Sequence, residues 1–550
     1  MNRATFHRAV AGLTAAVMTA SIQLATSGPA LATDDFADAA SSKINYTATP
    51  VTSNFNCASL TGQSLSMNAS VTSATVVAAT STTPAFCDVQ GVVKPSILFD
   101  VALPIAWNQR LYALGNGGCG GVLASNFANR NIGLANGFAV ASTDTGIENT
   151  AGNCAWAANR PDLVVDFAYE GIHQTALVAK QLIKEFYSQK PLVSYYNSCS
   201  DGGHDGLEEA QKYPKDYDGI VAGSPLLGAG TVISNAWETG AFASLPANET
   251  MTPAKVAYIS SVIYAKCDKL DGLADGIIND PQTCALVFKP RRDLKVCATG
   301  TNGDACLTPD QLNAYVKATS PVISRGRAFY PGQPLGNEIE FIGTQIAAPG
   351  APSTATLDYF LSNTYMQYLF PWPRTQPNRF SDFTFDFNTG PYQIYPFRIM
   401  FDPTQLRMDA FFDRGGKLLS YHGLADPLIT PYGTIAFYED EGKIYGPSLT
   451  SKYKFYTVPG MGHCAGGPGA DQFDPMTKMI NWVEGHQEPH TILSRHLNTD
   501  GSIAFTRTLC PYPGVAFYKG GNPNDAASFH CYRGPTGVPG TGPDDGLQLP

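Results

Sequence analysis

The sequence predicts an α/β protein, with a mostly parallel sheet covered on both faces by helices and a large segment inserted late in the chain. Three observations predict it. Short apolar strands alternate with helix-period segments between Leu111 and Ala222. The alternation stops near Pro225 and resumes at Lys417-Leu418-Leu419-Ser420-Tyr421-His422 and Tyr453-Lys454-Phe455-Tyr456-Thr457-Val458. Between these, the extended run Leu192-Val193-Ser194-Tyr195-Tyr196 turns through Ser198-Cys199-Ser200-Asp201-Gly202-Gly203 into a helix-like run, His204 to Tyr213. A strand that bends sharply through small residues into a helix is how a nucleophilic serine is lifted out of a sheet.

Residues 1–32 read as a cleaved secretory signal. Arg3 and Arg8 give the positive start, Ala9 to Ala25 the apolar run, and Ala30-Leu31-Ala32 a small-x-small cleavage site. No later segment reaches the ~20 apolar residues that span a bilayer, so the expected mature protein is periplasmic or released, with no membrane span. Residues 33 to about 100 are rich in Ser, Thr, Ala and Val with strand-like alternation. Leu111-Tyr112-Ala113-Leu114 is a strand ending in the tight glycine loop Gly115 to Gly121. Phe138 to Ser142 is a strand, Ile172 to Phe186 carries a helical period, and Gly219 to Ala222 is another strand. The segment 226–400 has a different texture, with four cysteines and the aromatics Tyr359, Phe360, Tyr365, Tyr368, Phe370, Trp372, Phe380 and Phe383. It reads as an inserted lid domain, which leaves 33–225 and 401–550 as the catalytic domain.

Bulk composition narrows the partners. The chain has 550 residues, a net charge of -10 and 15% charged residues. No basic stripe exists to neutralise phosphates, which argues against a nucleic-acid partner. Twelve cysteines, an even number, follow the signal and should pair in an oxidising compartment. Nearness in sequence suggests Cys57–Cys87, Cys119–Cys154, Cys267–Cys284, Cys297–Cys306 and Cys510–Cys531, which leaves Cys199 and Cys464 for each other.

That remaining pair matters because Ser200 follows Cys199 and His463 precedes Cys464. A serine hydroxyl becomes nucleophilic when a neighbouring base takes its proton. His463, in the loop Pro459 to Cys464, is the expected base, since imidazole accepts and returns a proton near neutrality. Asp426, in His422-Gly423-Leu424-Ala425-Asp426-Pro427, is the expected orienting acid, with Asp402 and Asp413 as alternatives. The chain order Ser, Asp, His is that of the α/β-hydrolase fold. The usual elbow is Gly-x-Ser-x-Gly, and here Ser198 takes the first glycine's place, so a tighter turn is expected. The oxyanion hole should use the N–H of Asp201 and one from the glycine loop, namely Gly118.

A second pattern runs from Asp268 to Asp280. Asp268, Asp271 and Asp275 offer carboxylates, and Leu273 and Ile277 offer backbone carbonyls, to a hard cation such as Ca2+ in a structural role.

Together these motifs resemble the tannase/feruloyl esterase family. The likeness rests on Cys199-Ser200-Asp201-Gly202-Gly203, Tyr217 to Gly223, the acidic loop after Cys267, Asp413-Arg414-Gly415-Gly416-Lys417, Tyr421-His422-Gly423 and Val458 to Gly467. It covers nearly the whole mature chain. The resemblance implies a disulfide between the Cys-Ser and His-Cys pairs, a calcium-binding lid, and hydrolysis of aromatic-acid esters such as ferulates or gallates. The substrate would be a small aromatic ester, free or attached to a plant cell-wall polysaccharide or a polyphenol. The family also includes hydrolases of the terephthalate monoester. Ser198 and His204, where glycine and arginine are usual, leave one reading of another class, a secreted binding protein on the same fold without turnover.

Overall fold

The computed structural model describes residues 34–53, 55–148, 152–370, 381, 383–403 and 407–539. The signal-like segment and the aromatics Trp372 and Phe380 lie outside these residues.

Nine strands form the central sheet: β1 Ala69–Val77, β2 Phe86–Val93, β3 Ile97–Pro104, β4 Arg110–Leu114, β5 Ala139–Thr143, β6 Val193–Cys199, β7 Gly219–Gly223, β8 Lys417–Gly423 and β9 Tyr453–Val458. Their order across the sheet is β9-β8-β7-β6-β4-β5-β3-β2-β1. The six strands from β9 to β5 run parallel, and β3, β2 and β1 are added antiparallel. Burial explains the division. Every residue of β4, β5, β7 and β9 is buried, as parallel strands covered on both faces require. β2 alternates between buried and half-buried residues along most of its length, which suits a strand with one face towards water.

The larger helices are α1 Phe127–Ala135, α2 Gly171–Tyr187, α3 Asp201–Lys212, α4 Ala229–Ala243, α5 Pro253–Cys267, α6 Pro309–Ala318, α7 Leu357–Thr364, α8 Pro431–Tyr445 and α9 Pro475–Gly485. Successive strand residues point to opposite faces. Ile220, Ala222 and Leu418 join Ile183 of α2, Leu207 of α3 and Phe437 of α8 in one core. Val221, Leu419 and Tyr421 join Leu134 of α1 and Met479 of α9 in the other.

Within 226–400, Phe242, Val256, Ile263, Leu312, Tyr315 and Phe341 form a hydrophobic cluster drawn only from that segment. A second cluster ties the segment to the rest, bringing Val232, Ile233 and Tyr365 against Cys119, Cys154, Phe167 and Leu428. All six expected disulfides are formed, the five between near neighbours in sequence and the remaining pair Cys199–Cys464.

One boundary differs from expectation. The helix after Ser200 begins at Asp201, three residues before the expected His204, so Gly202 and Gly203 lie in its first turn. The glycines serve close approach rather than a loop. A Cβ on Gly202 would stand 2.0 Å from Ser198 Oγ, and one on Gly203 2.3 Å from the Gly223 carbonyl oxygen. Serine at 198 fits because position 202 carries no side chain.

Candidate active site

Three loops leave the carboxyl ends of β6, β8 and β9, and their residues meet. Ser200 follows β6 directly, at φ 67° and ψ -125°, a left-handed conformation costly for an L-residue. The turn is held because the Ser200 N–H donates to the Gly223 carbonyl (3.0 Å) and the His204 N–H to the Ser200 carbonyl (3.1 Å). Ser200 Oγ lies 2.9 Å from Nε2 of His463, and Nδ1 of His463 lies 2.8 Å from Oδ2 of Asp426. A carboxylate only accepts, so Nδ1 carries the ring proton and Nε2 accepts the serine hydroxyl. Cys199 and Cys464 are bonded, with Cα atoms 6.1 Å apart. The Cys464 sulfur is 3.8 Å from the same Nε2.

Asp426 is fully buried, and every part of its carboxylate is engaged. Oδ1 accepts the N–H groups of Leu428 and Ile429, both at 2.9 Å. Oδ2 faces His463 and also Nε2 of His422 at 3.2 Å. Burial alone would push this carboxyl up, but the charge of His463 and hydrogen bonds from both histidines outweigh it and hold the group well below the usual carboxylate range. His422 belongs to the Tyr421-His422-Gly423 motif, where the sequence alone assigns it no role. Its Nε2 also contacts the Ile429 carbonyl (2.9 Å), an acceptor only, so Nε2 bears the proton. Nδ1 then accepts from the Thr434 hydroxyl at 2.8 Å. The available signal was spacing, a histidine at a strand end four residues before the acid.

The alternative acids lie elsewhere. Asp402 accepts the Ala229 N–H at the start of α4 (2.8 Å) and pairs with Arg398 (2.8 Å). Asp413 is exposed at the end of a short helix.

Gly118, at φ 60°, shares a pocket with Ser200. Leu226, Val232, Leu361, Leu428 and Tyr365 supply most of its apolar wall. Of the aromatics singled out in 226–400, Tyr365 is the described one that lines this pocket. Phe370 packs against Phe397 and Tyr359 against Phe383 instead. Asp201 is buried beside Asp205, and burial with that neighbour's charge pushes its carboxyl well up. His204, stacked on Phe401, has its Nε2 2.6 Å from the Phe401 carbonyl. Burial disfavours its charge, yet the Asp205 contact and the charges of Glu208, Asp201 and Asp205 push it up to about 9.

The acidic loop is separate from this pocket. Asp268 Oδ1 accepts the N–H groups of Asp275 and Gly276 (3.2 and 3.1 Å). Asp271 accepts from the Leu273 N–H (3.1 Å) and the Asn279 amide (2.5 Å). Asp275 accepts from the Ile277 N–H (3.2 Å) and pairs with Arg507 (2.5 Å). Burial, with the Asp275 and Asp268 charges, pushes Asp271 up to about 7. Carboxylate and carbonyl oxygens are the donor types a hard cation takes. Among the described residues, however, no three His, Cys, Asp or Glu side chains already converge on one point.

The chain matches the family model described as "Tannase and feruloyl esterase" over residues 77–532. It is 31% identical over 529 residues to mono(2-hydroxyethyl) terephthalate hydrolase of Piscinibacter sakaiensis, covering 82% of this chain and 85% of that one. It is 31% identical over 452 residues to feruloyl esterase B of Aspergillus niger, covering 78% and 82%. The crystal structure of feruloyl esterase B from Aspergillus oryzae superposes with a TM-score of 0.76 at 26% identity, covering 86% of this chain and 99% of that one.

Proposed function

Since the chain belongs to the tannase and feruloyl esterase family, and is therefore a carboxylic ester hydrolase on an α/β-hydrolase fold, we propose that it cleaves esters of aromatic acids through an acyl-enzyme on Ser200. The observation that carries this reading is the continuous hydrogen-bonded chain from Ser200 Oγ through His463 to Asp426. His463 takes the serine proton as Oγ attacks the ester carbonyl. The C–O bond to the alcohol then breaks, His463 protonates the departing alcohol, and water attacks the acyl-enzyme by the reverse proton path. Asp426 holds the ring and stabilises its charged form.

The N–H groups of Asp201 and of the Gly118 loop stabilise the oxyanion, each worth about 3 kcal/mol of barrier. The apolar pocket wall with Tyr365 at its side suits a flat aromatic acyl group. We take 226–400 as the lid that closes over it. Feruloyl, galloyl and terephthalate monoesters all fit this class, and likeness at 31% identity to both a feruloyl esterase and a terephthalate monoester hydrolase keeps both in view. Plant cell-wall esters and polyphenols are the natural polymeric sources of the first two.

A structural calcium ion would be held by Asp268, Asp271 and Asp275 with the carbonyls of Leu273 and Ile277, and its charge would draw the three carboxylates together. Six disulfides support an oxidising destination, secreted or periplasmic. No helix among the described residues is long and apolar enough to cross a membrane. Rates with methyl ferulate, a gallate ester and a terephthalate monoester test the reading. Turnover of at least one supports it, and a folded protein inert to all three would overturn the aromatic-acid-ester reading.

A further inference from the structure

A glycine run is a poor scaffold for an oxyanion hole unless something fixes it, because glycine has many backbone states to lose. Here three of the loop carbonyls are captured by side chains. Asn126 Nδ2 donates to the Gly115 carbonyl (3.1 Å), and Trp156 Nε1 to that of Cys119 (2.8 Å). Between these, the carbonyl of Gly118 itself receives the Tyr365 hydroxyl at 2.7 Å. A trans peptide is planar, so holding the Gly118 carbonyl fixes the plane it shares with the Cys119 N–H and, by restricting rotation about the Gly118 Cα–C bond, limits how the Gly118 N–H can turn.

The neighbouring residue acts on the same loop. Thr364 Oγ1 accepts the Cys154 N–H at 2.6 Å, and Cys154 is bonded to Cys119, the residue after Gly118. Thr364 ends α7, and Tyr365 opens a single wider π-turn, Tyr365–Leu369. Such turns recur at functional sites. Tyr365 is 1% exposed, so its hydroxyl has no water to turn to. Burial and the Asp201 and Asp205 charges keep the phenol protonated and donating.

We propose that Thr364 and Tyr365 are positioning residues through which the inserted segment sets the oxyanion loop, so that transition-state stabilisation depends on how that segment docks. This rests on the reading of Ser200 as nucleophile and of the Gly118 loop as an oxyanion donor.

Tyr365→Phe keeps the ring in the pocket wall and removes only the donor, and Thr364→Val is close to isosteric. The test compares kcat, KM, affinity for an arylboronic acid and affinity for the free aromatic acid product. The boronic acid forms a tetrahedral adduct with a serine hydroxyl. For Tyr365→Phe, kcat and boronate affinity are each expected to fall about tenfold, with KM and product affinity within about twofold. Thr364→Val should move the same quantities in the same direction. Unchanged kcat and boronate affinity in both variants, or product affinity falling in step with boronate affinity, would overturn the proposal and leave Tyr365 a pocket wall. Wild-type protein assayed alongside separates the two levels: an inert wild type removes the underlying reading and the proposal with it, whereas an active wild type with unaltered variants removes the proposal alone.

Discussion

Ser200 and Cys464 both hold left-handed backbone, at φ 67° and 62°, one directly after Cys199 and the other bonded to it. Neither residue type favours that region, which costs of order 1–3 kcal/mol each. The strain is borne where a serine and a histidine from distant parts of the chain must meet, and the disulfide holds the two turns together.

The bond should therefore have a catalytic share beyond its structural one. It spans 265 residues of sequence separation. In a chain-entropy model such a loop is worth about 5–6 kcal/mol. A Cys199→Ala/Cys464→Ala variant is expected to unfold at lower denaturant. Under conditions where it remains folded by circular dichroism, kcat should still be down about a hundredfold, since a ~1 Å misplacement costs that much. Full activity in the folded variant would make the bond purely structural.

His422 shares an Asp426 oxygen with His463. His422→Ala leaves Oδ2 one donor short and removes one of the contacts that hold the Asp426 carboxyl low and in place against His463. kcat is then expected to fall about tenfold with KM within about twofold. His422→Gln should recover part of the loss. A kcat equal to that of the wild type in His422→Ala would show that His422 only fills space.

Much of this was legible in sequence. The strand, turn and helix around Ser200, the histidine loop after β9 and the cysteine pairs are local patterns of small and apolar residues. Asp426 is preferred to Asp402 and Asp413 from its place in the loop after a strand, although that strand, β8, joins β7 across an insertion of nearly two hundred residues. Two things were not legible. The start of α3 lies earlier than the sequence suggests, because Gly202 and Gly203 look like loop residues until β7 is seen against them. The roles of His422 and Tyr365 arise from tertiary contacts that no periodicity carries.

Calcium is expected to raise the thermal midpoint, and a chelator to lower it. At ~100 times its dissociation constant a ligand adds about 2.7 kcal/mol. Asp271→Asn should abolish the response while leaving ester turnover measurable. A midpoint indifferent to both calcium and chelator would leave the acidic loop held by its own amides and Arg507 alone.

Stability is expected to decline as pH rises from 6 to 9. Burial pushes Asp144 up to about 7 and both Glu238 and Glu441 up to about 8. These acids bind protons more tightly when folded, so the stability they contribute at low pH is lost between their unfolded values near ~4 and their folded ones. His204, pushed up to about 9, contributes fully below its unfolded value of ~6.5 and loses that contribution as pH climbs through 9. Both classes act in the same direction. Thermal midpoints across this range check it, and a midpoint that rises towards pH 9 would contradict the assignment of these shifts.

The most direct test treats the protein with a fluorophosphonate and maps its peptides by mass spectrometry without reduction. We predict one adduct, on Ser200, within a peptide still joined through Cys199 to the one bearing His463 and Cys464, and accompanied by complete loss of ester hydrolysis. A protein that hydrolyses esters but carries its adduct on another residue, or whose Cys199 and Cys464 peptides separate without reductant, would contradict the account.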